Sequence, residues 1–62
     1  MRYKVLEDQM SGLKAGTIVE MFHGPSYGLA TDDTMNTGIP HVCVIEEDSP
    51  GPFYTCIEDD LE

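Results

Sequence analysis

Gly12-Leu13-Lys14-Ala15-Gly16-Thr17-Ile18-Val19-Glu20-Met21-Phe22 is the stretch on which the fold turns. Gly12 and Gly16 supply the backbone freedom of a tight turn. Thr17, Ile18 and Val19 are β-branched and suit a pleated, half-buried surface. The spacing predicts a turn held by Leu13 that launches a strand over residues 17–22, and the other segments pair with that strand.

Upstream, Tyr3-Lys4-Val5-Leu6-Glu7 reads as an opening strand with Tyr3 and Val5 on one face, followed by a loop over residues 8–12. Downstream, His23-Gly24-Pro25-Ser26-Tyr27-Gly28 is dense in turn formers. Leu29-Ala30 starts a short third strand. Residues 31–38 are polar, with Asx-type turn chemistry and a single helical turn over residues 32–36 capped by Thr31. His41-Val42-Cys43-Val44-Ile45 is the most strand-like run, and being apolar on both faces it should be central in its sheet. Residues 46–52 form a charged turn, and Phe53-Tyr54-Thr55-Cys56-Ile57 is the hairpin partner. Residues 58–62 close the chain as a 3₁₀ turn that tucks Leu61 inward. No segment has sustained helical periodicity. The pattern predicts an all-β fold, a small barrel or curled antiparallel sheet of about five short strands.

The order of parts resembles an SH3-like barrel. Lys4-Val5-Leu6-Glu7-Asp8 stands where that family carries its opening strand. Leu13-Lys14-Ala15-Gly16-Thr17-Ile18-Val19 is similar to its diverging turn, and the run from Phe53 to Leu61 is similar to its closing strand and 3₁₀ turn. The chain departs from the family in lacking Trp, paired aromatics in the first loop and a closing Asn-Tyr. The resemblance therefore implies the barrel without the aromatic groove that takes proline-rich peptides.

Sixty-two residues allow one domain, spanning 1–62, with a single modest core and no room for a deep catalytic cleft. No run approaches the ~18 apolar residues of a membrane span, and Glu7-Asp8 interrupts any leader-like apolar region. A soluble, cytoplasmic chain is expected, with Cys43 and Cys56 as free buried thiols.

Charge is the most informative feature. Three basic residues against twelve acidic ones give a net charge of −9, and the basic ones, Arg2, Lys4 and Lys14, all precede Ala15. Ten of the twelve acids follow it. Such a surface repels nucleic-acid phosphate and anionic lipid, so neither direct nucleic-acid nor membrane binding is expected. A basic surface of another protein would be attracted. Compact size with lopsided acidity also looks like the small proteins that bacteriophages make to bind host factors.

Candidate chemistry falls away in turn. Gly24-Pro25-Ser26-Tyr27-Gly28 matches the G-x-S-x-G nucleophile elbow, but the elbow needs a helix after its last glycine and a far larger sheet. His23, His41, Cys43 and Cys56 would make a Cys₂His₂ zinc set only if Cys56 lay opposite His41 and Cys43 in the hairpin, and no C-x₂-C spacing is present. The acidic triads Glu46, Glu47, Asp48 and Glu58, Asp59, Asp60 would hold a cation only if strand pairing brought them together. The sequence thus points to a non-enzymatic binding module without a cofactor. Asp32, Asp33, Glu46, Glu47, Asp48, Glu58, Asp59 and Asp60 supply charge, and Tyr27 and Met35 supply anchors. Its target is a basic protein surface, and imitation of phosphate charge would make it an inhibitor. The alternative is a self-associating structural protein that uses the run from Val42 to Ile45 as an intersubunit strand.

Overall fold

The computed structural model describes residues 1–25, 28–48 and 51–62. Their elements are β1 (Arg2–Lys4), β2 (Ile18–Met21), α1 (Leu29–Thr37), β3 (His41–Glu46), β4 (Tyr54–Ile57) and a 3₁₀ turn at Glu58–Asp60. The strands form one antiparallel sheet in the order β1-β2-β3-β4.

The opening stretch behaves as its residues dictate. Gly16 adopts φ 90°, which a side chain would resist, and its N–H donates to the Val5 carbonyl at 2.7 Å. That turn delivers Leu13 into the core, where only 2% of its surface stays exposed. Around it lie Val5, Val19, Val44 and Cys56, flanked by Tyr3, Met21, Val42, Tyr54 and Leu61. The register explains the grouping. Tyr3 opposes Val19, Met21 opposes Val44 and Val42 opposes Cys56, so alternate residues of every strand project to this core face. β3 is central, as its two apolar faces require, because β2 and β4 occupy both its edges.

Two expectations need correction. The sheet is not closed into a barrel, since β1 and β4 are its two ends and do not pair with each other. Instead the chain turns after β4 and returns to β1. Lys4 and Glu62 exchange backbone hydrogen bonds at 3.1 and 3.0 Å, and Val5 bridges Leu61. The 3₁₀ turn and the inward Leu61 are therefore as expected.

The other correction is α1. Its nine residues replace both the proposed third strand and the single turn over 32–36, leaving four strands among the described residues. The helix starts at Leu29, not after a Thr31 cap, and none of its residues is fully buried. Three Thr, two Asp and one Asn give it poor intrinsic propensity, so its support is tertiary. Thr34 Oγ1 donates to the Ala30 carbonyl and accepts the His41 N–H, at 2.8 and 2.9 Å. Thr37 Oγ1 donates to the Asp33 carbonyl at 2.7 Å and accepts the Ile39 N–H at 3.2 Å. Gly38, at φ 75°, ends the helix with its N–H on the Thr34 carbonyl. Two threonines thus lash the helix to the start of β3 and hold it over the sheet face opposite the core.

No helix among the described residues is long and apolar enough to cross a membrane. Cys43 and Cys56 are buried free thiols. Burial, and then the nearby Asp60 carboxylate, push the Cys56 thiol up to about 11. The folded state favours its protonated form, so the resulting stability is complete below the unfolded thiol's value near 9 and is lost as pH rises towards about 11. Urea midpoints should fall across that window in the native chain, and the slope should flatten in Cys56→Ala. Leu13→Ala should cost about 2–5 kcal/mol, a large part of a small domain's stability, read from urea unfolding at neutral pH.

Candidate functional site

The two acidic triads expected to meet a partner lie at opposite ends of the β3–β4 hairpin. β3 and β4 pair with His41 opposite Ile57 at one end and Val44 opposite Tyr54 towards the other. Glu46, Glu47 and Asp48 therefore extend from the turn end of the hairpin, while Glu58, Asp59 and Asp60 follow Ile57 at the far end. Five residues of strand, roughly 17 Å, separate the groups, so the expectation that pairing brings the triads together fails.

Each group has its own local chemistry. Glu46 opposes Val19 and so sits at the rim of the core face. Glu47 Oε1 lies 3.2 Å from Arg2 Nη1, an exposed ion pair that neutralises part of this end and adds little stability. Asp48 is exposed. At the far end Glu58 and Asp59 are exposed, whereas Asp60 is half-buried and accepts a hydrogen bond from Gln9 Nε2 at 2.9 Å. On α1, Asp32 and Met35 face solvent, Met35 being 78% exposed, and Asp33 is half-buried. Tyr27 lies outside the described residues. Two further aromatics near the acidic stretches are engaged within the fold. Tyr54 packs on the core, and Phe22 stacks on Phe53 with ring centroids 4.8 Å apart.

The zinc reading also fails on register. His41 and Cys43 lie on the helix side of β3, but Cys56 opposes Val42 and points into the core. Among the described residues no cluster of three or more His, Cys, Asp or Glu is placed to hold a metal. One ground for setting Ser26 aside does not survive, because α1 begins directly after Gly28. The other ground stands. The elbow belongs to a large hydrolase sheet, and this sheet has four antiparallel strands; Ser26 itself lies outside the described residues.

What the sequence did not reveal is a groove of about 420 Å³ on the helix side. Residues 9–11 wall it on one side, Asp33 and Thr37 of α1 on the other, and Thr55 and Ile57 of β4 form part of its lining. The groove is a depression open to solvent.

No protein-family model, curated protein or solved structure matches the chain. The decisive side chain beside the groove is Gln9. Its Nε2 donates to the Glu7 carbonyl and to Asp60 Oδ2, both at 2.9 Å, while its Oε1 accepts the Ile57 N–H at 3.0 Å. Both amide protons and the carbonyl are thus used. Ser11 Oγ adds a bond to the Thr55 carbonyl at 2.7 Å. Together they cap outward-facing backbone groups of β4, an edge that would otherwise invite another strand. A lone Gln in a loop carries no periodicity or motif, so nothing in the sequence singled it out.

Gln9→Leu removes all three bonds and should destabilise the fold by about 1–3 kcal/mol. Amide hydrogen exchange at Ile57 should accelerate more than at Cys56, whose N–H lies within the β3–β4 ladder.

Proposed function

We propose that the protein is a non-enzymatic acidic binding module that docks on a basic surface of another protein. The observation that carries this reading is the distribution of charge over the folded elements. α1, β3, β4 and the 3₁₀ turn contain no Lys or Arg. Arg2 and Lys4 lie on β1 and Lys14 in the β1–β2 loop, so the helix-bearing half presents carboxylates without internal neutralisation. Asp32, Asp33, Glu58 and Asp59 form the contact set on that half, with Met35 as an exposed apolar anchor. Glu46, Glu47 and Asp48 form a separate group at the turn end, where Arg2 offsets Glu47.

Where the partner's surface normally grips nucleic acid, the module acts as an inhibitor by imitating phosphate charge. Its compact size and lopsided acidity look like those of the small proteins that bacteriophages make to bind host factors. The SH3-like reading belongs to the same proposal. The glycine-framed turn before β2 and the 3₁₀ turn after β4 support that reading, while the open sheet and α1 depart from it. Self-association is the weaker reading, because both edges of β3 are occupied and the run from Val42 to Ile45 cannot serve as an intersubunit strand.

The test is affinity capture from host lysate across a salt series, with double-stranded DNA as competitor. Long-range attraction between exposed charges is screened within about 10 Å at 0.1 M salt, so partner retention should fall steeply as salt rises, and DNA should release the partner. Retention that is equal at low and high salt counts against the proposal.

A further inference from the structure

We propose that the groove between α1, β4 and residues 9–11 receives an arginine side chain from the basic partner, with its guanidinium on Asp33 and its aliphatic stem along Met10, Ile39 and Ile57. The inference rests on the docking reading above and assigns its point of contact.

The walls divide chemically in the way an arginine does. Met10 is fully exposed at the loop tip and Ile39 is 43% exposed, so the groove offers apolar surface that the fold leaves uncovered. An arginine stem covers such surface while its charged head stays wet. Asp33 is the one carboxylate in the lining, and among the described residues its side chain has no hydrogen-bond or ion-pair partner. No Lys or Arg lines the groove to compete for it.

His41 also lines the groove, and its Nδ1 is held 2.6 Å from the Ile39 carbonyl oxygen, which fixes the ring against the wall. A carboxylate beside apolar walls suits a planar, multi-donor guanidinium, which can bind it in bidentate fashion, over a compact ammonium. With the Ile57 N–H held by Gln9 and the Thr55 carbonyl by Ser11, two of the backbone groups that an added strand would use are already taken, which favours side-chain insertion over strand addition at this edge.

The experiment titrates the isotope-labelled full chain with N-acetyl-arginine amide and with its uncharged isostere N-acetyl-citrulline amide, following backbone amide shifts. Saturable shifts at Asp33, Thr37, Ile39 and Ile57 are expected. Binding should weaken about tenfold with citrulline, and about tenfold with arginine on Asp33→Asn. Glu20→Gln removes the same charge from an exposed site on β2 and should change affinity by less than about twofold. Equal binding of the two ligands overturns the inference, as does the absence of saturable shifts in the groove. Should Asp33→Asn lose its dispersed spectrum, the arginine–citrulline comparison on the native chain decides alone. Shifts confined to residues 46–48 would remove the groove assignment and leave the acidic docking reading intact. Arginine saturating the groove, with no salt-sensitive partner captured, would do the reverse.

Discussion

The side-chain amide of Gln9 holds the β1–β2 loop across the outer edge of β4, and much of the molecule depends on that contact. A four-stranded sheet has two ends to protect, and a chain of 62 residues has little material for the task. Here one loop serves twice. Leu13 fills the core from the loop's far side, while Gln9 and Ser11 satisfy the backbone of β4. The same residues then form one wall of the groove, so the protection of an edge and the shape of the surface beside it have a single origin.

The distribution of charge follows from topology as well as composition. Antiparallel pairing of β3 with β4 sends the turn acids and the terminal acids to opposite ends of the hairpin. Arg2 reaches the first group and Gln9 engages Asp60 of the second. Among the described residues, the carboxylates without a side-chain partner include those of α1, Glu58 and Asp59, and also Glu20, Glu46 and Asp48. A chain that reads as uniformly acidic from Ala15 onward thus folds into two acidic ends of unequal character.

How much of this was legible depends on where the information resides. The glycine-framed turn, the β-branched run at residues 17–19 and the doubly apolar run at residues 42–45 announce strands by local chemistry, and the structure places them so. The run Phe53–Ile57 reads as the hairpin partner of the run before it, and β4 does pair with β3. The helix was not legible, because Thr34 and Thr37 stabilise it through bonds to Ile39 and His41 and no periodic apolar stripe is needed. The antiparallel sheet was legible, but the choice between a closed barrel and an open sheet was not. Whether the last residues form another strand or a single bridge depends on how far the 3₁₀ turn displaces Leu61 along Val5, a distance that composition does not encode. Of the site, the acids and Met35 were named from the sequence. The groove was not, since Gln9, Thr37 and Ile57 meet only in three dimensions.

The return of the chain end to β1 has a consequence for the order of assembly. Val5 and Leu61 lie 56 positions apart, and Gln9 and Ile57 lie 48 apart, whereas β3 and β4 pair at closer range, Val44 opposite Tyr54. Bringing distant segments together carries the largest loop-closure cost, so the hairpin belongs to the early part of folding and the Val5 and Gln9 contacts to the late part. Interactions that are absent from the transition state govern how fast a protein comes apart, not how fast it forms. The clip at Gln9 is therefore a brake on unfolding, and changes there register in the unfolding arm of a chevron.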